Sequence, residues 1–401
     1  MEGIVISKRE IFGKYLAYFI FVAWFSTEIL FNTSMEYFMF WKREDANDTM
    51  AVVILLLSII QISLFQKYSI REMYVISIIS VAMIVCTFTS GNNIMLSAWI
   101  FILLAKYMDF DMMILFSYII LILTIAIVLY MFFSGNIDEV LKYRKGIIRH
   151  SWGFAHPNWL GVRVFELIVA HCYVRRNKIK IYDALLILLG IFFTYKVPNC
   201  QTAYVCLGLF LILLVLYFLS DFFVNGKNFF CKIVIYLALF SNVFSITMSL
   251  INVKRITLLS KLDKLLSLRF SNCYRTIKYF GIHLTGTNVN LYSKKMGLIY
   301  AKFYLDTAYT SILVRYGVIV YIVFSALYIY AMIYWYKKRN YMIVIIFGVY
   351  AMYGIMENTL YSLTQNIFLL AIAYPLYNKE FIDNTIEKAH KRIKITFGYG
   401  V

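Results

Sequence analysis

The chain consists mostly of apolar runs, each bounded by a few polar or charged residues. Continuous apolar runs of about 20 residues predict membrane-spanning helices, whereas a transmembrane β-barrel alternates apolar and polar positions. Run length predicts about twelve spans, which lie at 11–32, 49–66, 73–90, 93–106, 112–133, 156–174, 181–196, 202–220, 229–251, 308–335, 341–357 and 359–377. The expected fold is therefore all-α: a polytopic integral membrane protein with about 12 transmembrane helices.

One long hydrophilic passage, residues 252–306, interrupts this pattern. It holds ten Lys or Arg against two acids, namely Lys254, Arg255, Lys261, Lys264, Arg269, Arg275, Lys278, Lys294, Lys295 and Lys302 against Asp263 and Asp306. Loops longer than about 15 residues are usually functional or disordered, and the many Leu, Ile, Tyr and Phe residues here argue against disorder. We expect a folded basic lid over an anionic ligand. An interfacial segment that contacts anionic lipid is the alternative.

The basic loop itself contains helical periodicity. Leucines recur in it at three- and four-residue spacing, at Leu258, Leu259, Leu262, Leu265 and Leu266. This spacing predicts an amphipathic helix that lies in the interface, and residues 272–280 are a second candidate. The predicted organisation is transmembrane helices 1–9 in 1–251, the large extracytoplasmic loop in 252–306, transmembrane helices 10–12 in 307–378 and a cytoplasmic basic tail in 379–401.

Composition and charge agree with a membrane protein and predict its orientation. The chain is 62% hydrophobic and 15% charged, against about 45–50% apolar and about 25% charged residues in soluble domains. Of the 39 Lys and Arg, 20 lie on the face that both termini share, and ten of the others belong to the basic loop. Long loops translocate largely regardless of charge, so the short loops decide and place both termini in the cytoplasm.

Cysteine and histidine spacing gives no sign of a metal or cofactor. The six cysteines show no CxxC spacing and the five histidines are scattered, so we expect no metal site and no cofactor. Cys200 and Cys273 could both face outward, which leaves one disulfide open as a minor alternative.

The first candidate for chemistry is the start of the predicted sixth span, which reads GFAHPNWLG at 153–161. Proline suits the first turn of a helix. His156, Asn158 and Arg163 then lie near the outer mouth, with Glu166 deeper. A histidine there could donate to a sugar or a phosphate. The equally weighted alternative is a helix cap with Trp159 as an interface anchor.

The second candidate is Arg269 in the basic loop. A guanidinium offers a planar fork that matches phosphate oxygens and stays charged. Together with Arg275 and Lys278 it could bind a pyrophosphate. A solvated helix face or a lipid contact is the alternative.

The third candidate is the entry to the tenth span, with Asp306, Tyr309 and Arg315. Ionisable residues at that depth usually mark function, and Asp306 could act as a general base or orient a hydroxyl. A helix cap is the alternative. A late carboxylate, Glu357, is expected to form a structural ion pair with an arginine such as Arg163 or Arg315.

The order of four motifs then resembles a known family. GFAHPNWLG, LSLRFSNCYRTIKYFGIHLTG, LDTAYTSILVRYG and YGIMEN together resemble the Wzy-type polysaccharide polymerases of bacterial capsule, exopolysaccharide and O-antigen pathways, most of all the Gram-positive ones. The resemblance covers about the last 250 residues and extends in overall design to the O-antigen ligases. It implies a lipid-dependent glycosyltransferase that moves a growing glycan from undecaprenyl diphosphate onto the next lipid-linked repeat unit.

The resemblance also implies roles for single residues. His156 and Asn158 match the family's HPN element, and Arg269 matches its loop arginine. Asp306 and Tyr309 match an Asp-Asn-x-Tyr element in which Thr307 replaces the asparagine here. Glu357 matches a late-span glutamate. The family's Ser-Arg-Thr element is replaced by PNCQT at 198–202, where Lys196 is the nearest substitute for the missing arginine.

The function expected from the resemblance is an inverting, metal-independent polysaccharide polymerase in the bacterial cytoplasmic membrane. Its general base is either Asp306 or His156. Expected partners are the undecaprenyl-diphosphate-linked oligosaccharide, the lipid bilayer, and flippase and chain-length regulator proteins, with no nucleic acid. The alternatives are a flippase of lipid-linked oligosaccharide, which should show repeated halves and a charged midplane cavity, and a ligase-like transferase with another acceptor.

Overall fold

The computed structural model describes residues 8–38, 41–144, 146–290, 292–295 and 299–377. Its α-helices are α1 Lys8–Phe31, α2 Arg43–Phe65, α3 Ile70–Ser90, α4 Ile94–Leu104, α5 Phe110–Phe133, α6 Pro157–Val174, α7 Ile181–Lys196, α8 Gln201–Leu219, α9 Gly226–Leu250, α10 Thr257–Leu265, α11 Arg269–Phe280, α12 Ala308–Ser311, α13 Gly317–Lys337, α14 Tyr341–Met356 and α15 Ala373–Tyr377. The predicted tail at 379–401 lies outside the described residues.

Short hairpins join some of these helices. They pair β1 Tyr37–Phe38 with β2 Trp41–Lys42, β3 Lys142–Arg144 with β4 Ile147–Arg149, and β5 Tyr292–Lys295 with β6 Ile299–Lys302, all antiparallel. The described part of the chain is thus an all-α fold in which these two-stranded hairpins only connect helices.

Fewer helices have the length and apolarity of a membrane span than run length predicted. In the described part there are seven, at Lys8–Phe31, Arg43–Phe65, Ile70–Ser90, Phe110–Phe133, Gln201–Phe222, Gly226–Leu250 and Ala308–Lys337. They indicate a membrane protein, but the count of twelve is not confirmed. The predicted span 359–377 is broken into 3₁₀ turns at Asn358–Leu360 and Ile367–Ile372 before α15. Run length counts apolar residues and does not detect such breaks.

The core is centred on α14. All its residues except Tyr341 and Met352 are buried, and it packs against α8, α9 and α13. A helix that is apolar all round belongs in the interior, and α14 follows this rule. Its C-terminal end carries Glu357 to the site described below. By contrast, α2, α3 and α7 expose many large apolar side chains, as expected of helices in contact with lipid.

The basic loop contains the two short helices that its periodicity predicted. Asp263 at the end of α10 joins them, because its Oδ1 accepts a hydrogen bond of 2.9 Å from the Phe270 amide and its other oxygen accepts from the Ser271 hydroxyl. Leu268 takes a left-handed conformation with φ 62° between the helices. These contacts fix Arg269 as the first residue of α11.

The loop is attached to the start of α13 by backbone hydrogen bonds. The amides of Thr287 and Val318 donate to the carbonyls of Arg315 (3.0 Å) and His283 (3.0 Å). Gly286, at φ +83°, makes this approach feasible, since a Cβ there would lie 2.0 Å from the Arg315 carbonyl oxygen. The paired stretch of the spanning helix, Ile312–Tyr316, is a π-helix.

All six cysteines are buried and free. The Cys200–Cys273 disulfide is therefore not formed.

Candidate functional site

Five of the predicted site residues meet at one cavity of about 310 Å³. Its lining comes from the start of α6, the start of α11, the segment before α12 and the segment after α14, and consists of His156, Asn158, Trp159, Val162, Arg269, Asp306, Glu357, Asn358 and Gln365. Motifs that lie up to 199 residues apart in the chain, as Asn158 and Glu357 do, are in hydrogen-bond contact here.

His156 is the N-cap of α6, and Pro157 follows at the first helical position. The Nδ1 atom accepts a hydrogen bond of 3.0 Å from the Asn158 amide. Burial, with the nearby cations Arg149 and Lys142, lowers the pKa of His156 to about 4. The imidazole is therefore neutral at pH 7, and because Nδ1 is the acceptor, its proton lies on Nε2. His156 therefore caps α6 and also lines the cavity, so the two alternative roles predicted for it are compatible.

Glu357 links the elements of the site. Its Oε1 accepts hydrogen bonds from Arg269 Nη2 (3.3 Å), Thr202 Oγ1 (2.9 Å) and Asn158 Nδ2 (3.2 Å). The predicted partners of this carboxylate, Arg163 and Arg315, were wrong, since the ion pair is formed by Arg269.

Arg163 lies behind the cavity rather than in it. Its guanidinium is fully buried and forms an ion pair of 2.6 Å with Glu166, three residues later on the same helix. It also donates to the Thr364 carbonyl and lies 5.3 Å from the centre of the Trp159 ring. Residues three positions apart face each other on a helix, so Arg163 pairs with Glu166. Arg163 therefore does not pair with Glu357. We assign it to positioning Trp159 and the segment that carries Gln365.

Arg149 belongs to the site although none of the sequence motifs assigned it a role. It is the last residue of β4 and only 5% exposed. Its Nε donates to the Pro198 carbonyl (2.9 Å) and its Nη2 to Asn158 Oδ1. Burial is the main cause of a lowered pKa at this guanidinium. The signal for it was its place at the end of a basic hairpin directly before the HPN element.

Lys196, the expected substitute for the missing arginine, is exposed, and its Nζ lies 5.6 Å from the centre of the Tyr195 ring. It is not part of the cavity lining. The cation that contacts the PNCQT segment is instead Arg149, through Pro198.

Asp306 lines the cavity. The N-cap of α12 is Thr307, so Asp306 does not cap this helix, and the alternative interpretation of Asp306 as a helix cap was wrong. Within the described residues Asp306 forms no ion pair, in contrast to Glu357. Its segment is fixed by Asn358, whose Nδ2 donates 3.0 Å to the Leu305 carbonyl.

The remaining predicted residues lie away from this cavity. Tyr309 is buried, and its hydroxyl donates 2.9 Å to the Ala351 carbonyl. Arg275 and Lys278 are exposed on α11, with the Arg275 guanidinium 5.1 Å from the centre of the Phe303 ring. Arg315 lines a neighbouring groove.

Among the described residues, the cavity thus presents the Asp306 carboxylate without an ion pair, the Arg269 guanidinium paired with the Glu357 carboxylate, and the neutral His156 ring, which can donate. This set can bind an anion and accept a proton. Among the described residues no group of three or more His, Cys, Asp or Glu side chains is arranged to hold a metal ion. Comparison with known proteins adds no relative, since no family model, no curated protein and no solved structure matches the chain.

Proposed function

We propose that this protein is a membrane polysaccharide polymerase. It transfers a growing glycan from undecaprenyl diphosphate to the next lipid-linked repeat unit at the outer face of the bacterial cytoplasmic membrane. The observation that carries the proposal is the meeting of His156, Asn158, Arg269, Asp306 and Glu357 in one cavity. These are residues that the motif resemblance selected independently of their positions in space.

The proposed reaction is an inverting displacement. An oxygen of an acceptor hydroxyl attacks the anomeric carbon of the donor glycan, and a glycosidic C–O bond forms. The bond from that carbon to the diphosphate oxygen breaks, and its electron pair leaves with undecaprenyl diphosphate. The hydroxyl proton passes to Asp306, which lines the cavity and forms no ion pair with any described residue.

The cations of the site act on the leaving group. Negative charge grows on the diphosphate as the bond breaks, and a fixed guanidinium at that position stabilises it. Arg269 supplies this charge from the first position of α11. Arg149 contributes from behind Asn158, which it orients.

His156 acts as a donor in this scheme and not as the base. Its Nδ1 is occupied by the Asn158 amide and the ring is neutral above about pH 4. The Nε2 proton is then available to an oxygen of the diphosphate or of the sugar. Of the two candidates for the base that the sequence left open, we therefore choose Asp306.

The test compares variants in membranes that contain equal amounts of protein, supplied with lipid-linked repeat units. Arg269→Ala and Asp306→Asn are each expected to lower the rate of chain extension about 10²–10³-fold, the usual effect of losing one such contact. Lys261→Ala on α10 and Asp138→Asn before β3 are matched controls, since both residues are exposed. They should stay within about twofold of the wild type.

The same assay separates the alternatives. Normal polymer length in both Arg269→Ala and Asp306→Asn would end the assignment. Transfer of lipid-linked oligosaccharide across sealed vesicles without chain extension would show a flippase, and transfer of the glycan to a different acceptor would show a ligase.

A further inference from the structure

A second, larger cavity adjoins the one described above. This groove has a volume of about 550 Å³ and is walled by α1, α2, α4 and the segment 358–365. Trp159, Asn358 and Gln365 line both cavities, so the two spaces are direct neighbours. The groove is within the range of about 300–1,000 Å³ that small-molecule sites occupy.

The groove lining mixes aromatic rings with neutral polar groups. Trp24 and Trp159 supply indole rings, while Asn47, Ser97 and Gln365 supply amide and hydroxyl groups. The C–H face of a sugar ring packs against an indole, and its hydroxyls need both donors and acceptors, which amides provide together. A groove for a lipid chain alone would have no use for so many polar groups.

Two residues of the groove lining carry buried polar atoms that have no partner in the described part of the chain. The Nε of Arg315 and the Oδ1 of Asn358 are buried and have no hydrogen-bond partner in the described structure. One is a donor and the other an acceptor, and both residues line the groove. Arg315 and Asn358 bring a guanidinium and an amide to the groove lining, and such groups suit a ligand that has polar atoms of its own.

One wall of the groove is formed by exposed apolar residues of α2. Val52 and Leu55 of α2 line it and are 56% and 41% exposed. Because α2 has the length and apolarity of a membrane span, a ligand bound against this wall can leave a lipid tail in the bilayer.

We propose that this groove binds the acceptor oligosaccharide. The inference rests on the proposed function, because that reaction requires a second saccharide whose hydroxyl reaches Asp306 while the donor diphosphate lies at Arg269. The groove borders the reaction cavity at Trp159, Asn358 and Gln365, which places the terminal acceptor sugar there. Arg315 and Asn358 bind its oxygens, and the acceptor's polyprenyl tail passes out beside α2.

Two tryptophan substitutions on the same helix test the groove. Ala51 lines the groove, so Ala51→Trp places an indole ring in it. Val53 is 42% exposed on α2 and is not among the groove residues, so Val53→Trp adds the same ring outside it. The rate of chain extension is measured while the lipid-linked repeat unit is varied as acceptor at fixed donor. For Ala51→Trp we expect the acceptor KM to rise at least about tenfold, as for a binding loss of one order of magnitude, with the donor KM unchanged.

A binding readout that needs no catalysis accompanies the kinetics. The lipid-free repeat-unit oligosaccharide is titrated into the purified full chain in a calorimeter. Wild type and Val53→Trp should bind it, whereas Ala51→Trp and Asn47→Ala should bind it at least about tenfold more weakly. Asp48→Ala, at an exposed neighbouring position of α2, should behave as the wild type.

The outcomes separate the two proposals. If the wild type makes no glycosidic product from lipid-linked repeat units, the proposed function fails. If it makes polymer while Ala51→Trp keeps the wild-type acceptor KM and oligosaccharide binding, the groove assignment alone is overturned. A raised donor KM with an unchanged acceptor KM would overturn it too, because the groove would then hold the donor. Equal unfolding midpoints of the two tryptophan variants exclude a folding defect as the cause.

Discussion

Substitution of Glu357 by glutamine tests the organisation of the site most directly. The change keeps the size of the side chain but removes the charge that pairs with Arg269. The two side chains are only 11% and 15% exposed, so solvent replaces little of the lost interaction. A hydrogen bond to a charged group contributes about 1.5–3 kcal/mol and one between neutral groups about 1 kcal/mol. We therefore expect Glu357→Gln to lower the free energy of unfolding by about 1–3 kcal/mol.

The same change should also lower the rate of chain extension. Arg269 loses the charge that pairs with it in the cavity, and on the proposed reaction a displaced guanidinium no longer meets the leaving group. If the displaced guanidinium stabilises the transition state less by about 1.4–2.8 kcal/mol, the rate of chain extension falls about 10- to 100-fold. The assay combines chain extension in membranes with denaturant unfolding of the purified protein. Glu44→Gln, at an exposed position in the first turn of α2, is the matched control.

A double-mutant cycle decides whether this reasoning is right. Glu357→Gln and Arg269→Ala remove the two sides of one contact of 3.3 Å, so their effects should be strongly non-additive. We expect a coupling energy of at least about 1 kcal/mol in both stability and rate. Additivity within about 0.3–0.5 kcal/mol would show that Glu357 does not act through Arg269.

Three further predictions concern single residues. Arg149→Lys keeps the charge but loses the contacts of the guanidinium with Pro198 and Asn158, so we expect chain extension to be about tenfold slower. Lys142→Ala, at the exposed position paired with Arg149 across the hairpin, should keep the rate within about twofold of the wild type, and equal rates in the two variants would contradict this prediction. The pKa of His156 is lowered to about 4 from about 6.5 in the unfolded chain, so the unfolded state binds the proton first as the pH falls. The free energy of unfolding should therefore decrease between about pH 6.5 and pH 4, and His156→Gln should lack this decrease. The pH profile of activity should show no His156-dependent inflection near pH 6.5; an inflection there that His156→Gln abolishes would contradict the assignment. In Gly286→Ala the new Cβ would lie 2.0 Å from a backbone oxygen at φ +83°, so we expect the free energy of unfolding to fall by more than about 3 kcal/mol. Gly135→Ala has a similar φ of +75° but open space around it, so it should lower the free energy of unfolding by only about 1 kcal/mol. Similar unfolding midpoints of the two variants would refute the packing argument.

Much of the cavity could be predicted because its residues sit at helix starts and ends. His156, Arg269 and Asp306 each lie at or just before the first turn of a helix, and Glu357 follows the last residue of α14. Polar residues at the ends of apolar runs must lie near the membrane surface, where they can meet. The sequence therefore identified the residues of the cavity without giving their partners.

The parts that could not be predicted depend on contacts between distant segments. Arg149 enters the site because its guanidinium reaches Pro198 and Asn158, and its place in a basic hairpin does not reveal these partners. The groove lining was missed for the same reason, since it joins α1, α2 and α4 to residues 358–365. The span count depended on run length alone, and run length cannot tell an unbroken helix from the turns around Ser362 and Gln365.

The pairing of Arg269 with Glu357 has a consequence for turnover. On the proposed reaction, a guanidinium that already has an anionic partner holds the departing diphosphate less tightly than a free one would, because the carboxylate competes for it. The C-terminal end of α14 directly before Glu357 adds partial negative charge to this competition. On this proposal the spent lipid carrier is released after each addition, and the resting ion pair forms again before the next donor arrives.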